Sequence, residues 1–479
     1  MRRSASYCVA VATLCLPIVQ GLQFLQSTTL GIDPSTTNRL NGESFQQDAL
    51  VTFNGYQYAA FYEPDSANTS VHHPTFSRRS VKGRSASKWE KFTLSDYNQT
   101  EDDGHDVISL GISHGDGTLH IGFDQHDNPL HYRISKPGVA TNPKKVTWDA
   151  NIFGPTLDHL PGLESLDKNG YFINVTYPRF LSIPSSVRNA HGSDLLMELR
   201  VGRSGLGDDW LYRYTPGKGW SQIGRYLEGV NNNAYINGLD FDSQGVLHTT
   251  WTYRDFVNDT GQDVAVQAGP NGPENNHDLD YAYSSDLGET WQNNWGQQIA
   301  NPNTEQPIVP VSAGITIFSI PKYGGILNQE TQTIDSDGRI HVLNRENTTR
   351  TERWYHYWRD TNRFWTRTTL PLNDKLHSAN NITGTPTVIG KRAKLAAPPR
   401  HSGSDTSLLA ILPSNSPNST ALSILQSTAK SNFNDWKVVW ETSSGNGWEP
   451  LFDRYRLQDG ILSLFIVNGT EVQVADFLL

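Results

Sequence analysis

Cysteine is nearly absent from this 479-residue chain, and methionine is equally scarce, with two of each. Both cysteines, Cys8 and Cys15, lie in the first fifteen residues. They fall inside a segment with the marks of a secretory signal: Arg2 and Arg3, an apolar stretch from Val9 to Val19, and a small-residue cleavage site at Gln20-Gly21-Leu22. That stretch is far short of the ~20 apolar residues needed to span a bilayer, and no later segment approaches that length. We therefore expect residues 1–21 to be removed, a secreted protein, and no membrane partner. The remaining chain, 22–479, would hold no cysteine and must be stabilised by core burial, which its size permits.

Positive charge is also in deficit. The formal net charge is −10, and loss of Arg2 and Arg3 makes it more negative. A sequence-independent grip on nucleic acid or an anionic membrane is excluded by that sign. An anionic sugar can still bind, but only through a local cluster of Arg and His. Helical periodicity is missing too: after the signal no long stretch repeats its apolar residues every 3.6 positions.

What is plentiful is Gly, Pro and aromatic residue: 40 Gly, 25 Pro, 13 Trp and 19 Tyr. This is the composition of many short strands and tight turns. One pattern recurs: an Asp/Ser/Gly turn, then Gly-x-apolar-His and a strand, then a strand with Tyr-x-Tyr or His-Tyr-x-Arg. It occurs as Gly117-Thr-Leu-His120 with Leu130-His-Tyr-Arg133, as Gly245-Val-Leu-His248 with Leu279-Asp-Tyr-Ala-Tyr283, and as Gly338-Arg-Ile-His341 with Trp354-Tyr-His-Tyr357. Looser copies are Gly170-Tyr-Phe-Ile173 with Trp210 to Tyr214, and Gly460-Ile-Leu-Ser463. Each unit reads as part of a small antiparallel sheet that cannot bury its faces alone, so the copies must stack.

Ser284-Ser-Asp-Leu-Gly-Glu-Thr-Trp291 matches the S-x-D-x-G-x-T-W Asp-box turn, a structural motif of propeller blades. Divided among seven sheets, the chain gives each about 65 residues, within the four-to-eight-blade range. The expected fold is an all-β, seven-bladed β-propeller forming a single catalytic domain over 22–479, as a monomer. The first blade would start near Gly55 and the last would contain Leu451 to Leu479. Val472 to Phe477 could pair beside the N-terminal strand and close the ring, leaving no open edge. A polar, Gly/Pro-rich run in the 260s to Asn276 reads as a surface loop. Sequons at Asn68, Asn98, Asn174, Asn258, Asn347, Asn381, Asn418 and Asn468 are candidate glycosylation sites.

Chemistry in such a ring gathers where strand ends meet at the central funnel. His105 opens a strand after a turn, and His126 ends the next one in a hairpin turn. Tyr177 sits before Pro178, which biases it to an extended backbone. Arg200 leaves a strand into a Gly-rich turn, and Arg254 ends another strand. Singly, each is most often a packed or salt-bridged residue. Together they suit β-elimination at a uronic acid: a guanidinium fork neutralises the carboxylate, a histidine near neutral pKa removes the C5 proton, and a Tyr or second His protonates the departing O4. Hydrolysis calls for paired carboxylates; Asp102, Asp103, Glu330 and Glu449 are present but form no telling pair. No Gly-x-Ser-x-Gly elbow and no His-Glu-x-x-His spacing occurs.

Several segments resemble the BNR-repeat propeller family in order along the chain: Asp103-Gly-His105-Asp-Val, Gln125-His126-Asp-Asn-Pro-Leu-His-Tyr-Arg133, Val175-Thr-Tyr-Pro-Arg-Phe180, Arg200 with Ser204-Gly-Leu-Gly, Leu211 to Tyr214, Asn237 to Asp242, Asn328-Gln-Glu330 with Asp335 to Arg339, and Glu449 to Arg454. That family includes ulvan lyases and fungal L-rhamnose-α-1,4-D-glucuronate lyases, which remove terminal L-rhamnose from the glucuronate of gum-arabic-type arabinogalactan. The resemblance to the second group implies an exo-acting carbon–oxygen lyase giving a 4,5-unsaturated glucuronate. It also implies His105 and His126 as acid and base, Tyr177 as an assisting phenol, and Arg200 as the carboxylate neutraliser. Arg254, Asn128 and Arg179 would bind substrate. No cofactor is required on this reading, and a structural Ca²⁺ is allowed. An endo-acting ulvan lyase, a hydrolytic α-L-rhamnosidase and a non-catalytic lectin remain as alternatives. Some relatives place a hydrolytic histidine on the opposite face of the first blade; the comparable stretch Tyr58 to Asp65 has none before His72 and His73.

Overall fold

A computed structural model of the chain describes residues 21–479 except 46–47, 188–190, 204–206, 230–232, 255–274, 323, 350–352, 372–390, 401–402, 415–418 and 446–447. The expected signal, the loop through the 260s, and the sequons at Asn258, Asn381 and Asn418 lie largely or wholly outside the described residues. The described strands form seven antiparallel sheets, the blades of a propeller. Blade 1 is built on Leu50–Phe53, Tyr56–Pro64 and His72–Lys82, and blade 2 on Ile108–Ile112, Leu119–Phe123 and Tyr132–Ile134. Blade 3 holds Val175–Ser182, Leu195–Val201, Asp208–Thr215 and Gly219–Leu227, and blade 4 Ala234–Phe241, Leu247–Arg254 and Asn276–Ser284. Blade 5 comprises Thr331–Ile334, Ile340–Glu346, Arg353–Arg359 and Trp365–Thr369; blade 6 comprises Lys394–Ala396, Ser407–Pro413, Leu422–Thr428 and Lys437–Thr442.

Blade 7 closes the ring. Leu451–Phe452, Ile461–Asn468 and Glu471–Leu478 are joined by the N-terminal strand Gln23–Ile32, which pairs antiparallel with Glu471–Leu478 from Gln23 opposite Leu478 to Ile32 opposite Glu471. The two chain ends thus share one sheet; Glu471–Leu478 lies inside it, and Gln23–Ile32 becomes the outer edge, so an edge remains where the sequence suggested none. The first blade begins one strand earlier than the sequence suggests, at Leu50.

The recurring histidine has a structural explanation. His120, His248 and His341 are each buried and bonded to the strand beside them: His120 to the Tyr132 hydroxyl at 2.6 Å, His248 to the Tyr281 hydroxyl at 2.9 Å, His341 to His356 at 3.0 Å. The other ring nitrogen of His248 and of His341 meets the turn acid, Asp242 or Asp335. Burial holds these rings neutral; that of His120 is pushed down to about 3. The repeat is therefore a blade brace that ties turn to strand. The Gly170 copy is not part of it, because Lys168–Tyr171 forms a short helix. In the Asp-box, Ser284 and Asp286 bond the loop backbone and Trp291 is fully buried beneath, donating to the Gly288 carbonyl at 3.1 Å.

A buried Arg79–Asp476 ion pair joins blade 1 to blade 7, and most of the apolar clusters are drawn from two adjacent sheets. One joins Tyr58, Ala60 and Phe76 of blade 1 to Ile108, Leu110 and Ile121 of blade 2; another joins Leu196 and Leu211 of blade 3 to Trp251 of blade 4. Among the described residues no helix is long and apolar enough to cross a membrane.

Candidate functional site

At one mouth of the ring, a turn before blade 2 and a turn after its second strand meet. Asp103 begins the site. Its Oδ1 accepts from the backbone N–H of His105 at 2.9 Å, which closes a tight Asx turn and fixes the imidazole that follows. The same carboxylate takes both rings: His105 Nδ1 lies 2.5 Å from Oδ1 and His126 Nδ1 lies 2.6 Å from Oδ2. The two imidazoles stack with centroids 3.8 Å apart and planes 21° from parallel. About a third of each side chain stays open to solvent.

His126 is not in a blade 2 hairpin turn, as its sequence position suggests. His126–Asn128 is a short strand that crosses to blade 3 and pairs with Val175 and Thr176. This crossing is what lays His126 over His105. It also brings Asp127 to Arg200, with Oδ1 2.7 Å from Nη2; Thr176 Oγ1 accepts from the same nitrogen at 3.0 Å.

Tyr177 departs from expectation in a second way. The pre-proline rule favours an extended residue, but Tyr177 has φ +59°. The ladder between Val175–Ser182 and Leu195–Val201 runs Thr176 opposite Arg200, then Arg179 opposite Glu198. Two residues, Tyr177 and Pro178, thus oppose one, Leu199. This is a bulge, and Pro178 tolerates it because it has no N–H to donate. The left-handed conformation costs of order 1–3 kcal/mol and persists only where the surroundings fix it. Here they do: the Tyr177 ring packs edge-on to Phe45 (5.3 Å) and Tyr235 (6.3 Å), lies 5.8 Å from His105, and has the Arg200 guanidinium 5.2 Å over it.

Phe45 continues the stack beyond His105 at 5.2 Å, with planes 10° apart. Two further guanidinium groups rim the cluster. Arg254 lies 4.7 Å over Tyr235 and donates to Asn276 and Asn328; Arg392 lies 5.6 Å over Phe45 and pairs with Glu449 at 3.0 Å. Arg254 and Arg392 are partly exposed, whereas Arg200 is 2 % exposed. Arg200 therefore sits behind Tyr177 rather than at the end of a strand facing solvent.

The electrostatics follow from this packing. Asp103 is penalised by burial, yet the bonds from His105 and His126 hold its carboxyl well below the usual carboxylate range. Burial lowers the His105 pKa; the Asp103 bond opposes this, while the neighbouring His126 and Arg200 add to it. Burial and Tyr235 push the Tyr177 phenol well above its ordinary value, with Arg200, Arg254 and Arg392 pulling the other way. The phenol is accordingly neutral and a proton donor. Because ionised Asp103 can only accept, each histidine carries a hydrogen on Nδ1, which leaves Nε2 as the atom that can exchange a proton. Asp103, His105 and His126 each offer a metal-ligand atom within 4.8 Å of the others, but both Nδ1 atoms and both carboxylate oxygens are engaged in the hydrogen bonds just described.

Of the expected site residues, His105, His126, Tyr177 and Arg200 are brought together, with Arg254 adjoining through Tyr235. Asn128 lies on the crossing strand, opposite Val175. Arg179 is not part of this cluster: it is buried, with Nε 2.6 Å from Glu198 Oε2, and Asp209 adjoins the pair. Of the carboxylates considered for hydrolysis, Asp102 stands apart, whereas Glu449 lies near Glu330 and hydrogen-bonds Glu43. Asp102 accepts backbone N–H groups from Thr37 and Asn38, Glu330 faces Arg345, and Glu449 serves Arg392. His72 is tied to Gln99 at 2.7 Å. Phe45, Tyr235 and Arg392 carried no signal in the sequence, since each reaches the site from a different blade junction. Asp103 did: it opens the Asp-Gly-His turn. A cavity of about 310 Å³ lies elsewhere, lined by Asp48, Asp240, Lys394 and Arg454 and by none of the histidines.

Residues 56–372 match the BNR repeat-containing family. The chain belongs to that family. A relative from Alteromonas sp. (strain LOR), described as ulvan lyase, long isoform, is 24 % identical over 279 residues. The match covers 52 % of this chain but only 26 % of that relative, so the chain spans about a quarter of its length. Among solved structures, the polysaccharide lyase Uly1 aligns with TM-score 0.65 at 15 % identity, covering 95 % of this chain and 99 % of the other. An ulvan lyase bound to -[GlcA(1-4)Rha3S]- aligns with TM-score 0.62 at 13 % identity, covering 94 % and 95 %. At these identities the structural likeness establishes the seven-bladed fold of this family member.

Proposed function

We propose that the protein is a polysaccharide lyase cleaving the bond to O4 of a uronic acid by β-elimination. One observation carries this reading: two imidazoles, both bonded through Nδ1 to one ionised carboxylate, present their Nε2 atoms side by side beside a neutral phenol and a guanidinium. In D-glucuronate, H5 and O4 lie on the same ring face, so elimination is syn and acid and base must stand on one side of the sugar. A 3.8 Å histidine stack meets that demand.

In the proposed reaction, Nε2 of one histidine removes H5. The electron pair forms the C4–C5 double bond as the C4–O4 bond breaks. The leaving oxygen takes a proton from the other histidine or from Tyr177, and the Asp103 charge stabilises the single imidazolium that forms. The carboxylate of the sugar must be neutralised for H5 to become acidic. The more open guanidinium of Arg254, supported by Arg392, suits contact with it. Arg200 adds positive potential from behind Tyr177. No nucleophile is required.

For the substrate we propose exo removal of terminal L-rhamnose from the glucuronate of arabinogalactan side chains, outside the cell. An endo-acting ulvan lyase is a second reading, supported by the similarity to proteins so described. Incubation with gum arabic and with ulvan separates them. Rhamnose release with ultraviolet absorbance of an unsaturated uronate supports the first; a rapid viscosity drop of ulvan supports the second. Rhamnose without the chromophore means hydrolysis, and no product from any acidic glycan leaves a lectin.

A further inference from the structure

Behind the histidine pair the chain carries two more acids that the reaction does not use. Asp106 follows His105, and Asp124 with Gln125 precedes His126. Asp106 is fully buried, and neither carboxyl oxygen has a hydrogen-bond partner among the described residues. Asp124 is 8 % exposed; its Oδ2 accepts from the Tyr97 hydroxyl, and its Oδ1 has no partner. Gln125 is 1 % exposed, donates its amide to the His131 carbonyl at 3.1 Å, and leaves Oε1 without a partner. The Tyr62 hydroxyl is fully buried and has no partner in hydrogen-bond geometry among the described residues, and after burial the charges of Asp124 and Asp106 act on it most strongly.

The other groups facing this pair are the Gln99 amide, Glu101, Asp103 and His131. Of these groups only His131 can bring positive charge; Arg133 lies beyond Tyr97, and His72 beyond Gln99. Buried carboxylates without a counter-charge are costly, and these two repel each other. The unpartnered atoms are all hard oxygens: two from Asp106, one from Asp124, one from Gln125 and the Tyr62 hydroxyl. Calcium takes roughly six to eight such ligands and completes its shell with water. Magnesium demands tighter octahedral geometry, which a set drawn from two turns does not offer.

We infer that Asp106, Asp124 and Gln125 form a Ca²⁺ site behind the catalytic pair, joining the turn that carries His105 to the one that carries His126. This assignment does not depend on the lyase reading, because no residue of the site touches substrate in that scheme.

The test uses the full secreted protein. After dialysis into metal-free buffer, metal analysis and thermal unfolding are measured with EDTA, CaCl₂ and MgCl₂. One equivalent of calcium and a melting temperature several degrees higher in CaCl₂ than in EDTA are expected, with that difference lost in Asp106→Asn and in Asp124→Asn. No bound metal and no response to CaCl₂ overturn the inference, as does a response undiminished in both variants. A melting temperature that rises as pH falls, without any calcium effect, also overturns it and assigns a shared proton. Should the variants fail to fold, terbium luminescence excited through Tyr62 and Tyr97 decides on the wild type. Emission saturating at one equivalent and displaced by calcium supports the site; its absence overturns it.

Discussion

His105 and His126 hold one carboxylate between them, their rings 3.8 Å apart and each bonded through Nδ1 to Asp103. One negative charge can balance one added proton, so in the proposed reaction Asp103 supports a single imidazolium on either ring. Base and acid then need not be permanent assignments. His105→Asn and His126→Asn should each lower kcat by roughly 10²–10⁴-fold, the usual worth of positioned proton transfer, with an unchanged circular dichroism spectrum. A variant keeping more than a tenth of wild-type turnover would remove that histidine from the proton path.

The pH profile follows from the same trio. To serve as the base of the proposed reaction His105 must be neutral, and burial lowers its pKa below the ordinary value of about 6.5. Turnover therefore rises with pH through a limb placed below 6.5. The Asp103 bond opposes the lowering, so Asp103→Asn should move the limb further to acid while reducing kcat through loss of tautomer control. A limb that moved to higher pH in this variant would contradict the assignment.

Tyr177→Phe removes the hydroxyl and keeps the ring packed on Phe45 and Tyr235. Since the phenol is a donor, the loss should fall on kcat, by up to about 10²–10⁴-fold, with KM and melting temperature nearly unchanged. If KM rose and kcat held, Tyr177 would be a binding residue.

Arg179 should declare itself through stability. Breaking a buried ion pair by removing one partner costs about 3–5 kcal/mol, and Glu198 would be left buried without its ion-pair partner, with Asp209 hydrogen-bonded to it and the charge of Arg200 nearby. Arg179→Ala is thus expected to unfold at distinctly lower denaturant concentration, with KM on the folded protein unaffected. A raised KM at full stability would return Arg179 to substrate binding.

Deleting Gln23–Ile32 leaves Glu471–Leu478 as an exposed edge strand. Lower melting temperature and association visible by size-exclusion chromatography are expected; a monomer of wild-type stability would show that ring closure does not depend on this strand.

How much of this was legible beforehand differs between fold and site. Strand-rich composition, the Gly-x-apolar-His repeat and the Asp-box prescribe stacked sheets, because turn chemistry and strand periodicity are local properties. Even the closing partnership of the two termini could be anticipated, since pairing gives Glu471–Leu478 a neighbour on its outer side. The Asp-Gly-His turn that fixes His105 on Asp103 is local as well, spanning three residues.

The rest arises only when the ring closes. The crossing of His126–Asn128 to blade 3 depends on a pairing partner some fifty residues away, so neither the His105–His126 stack nor the Asp127–Arg200 bond has a sequence signature. The bulge at Tyr177 overrides its pre-proline preference because Phe45, Tyr235 and Arg200, from three separate segments, pack around the ring and offset the backbone cost. Sequence determined which residues could carry the chemistry; tertiary packing decided which of them meet, since a propeller funnel is assembled from strand ends that are remote along the chain.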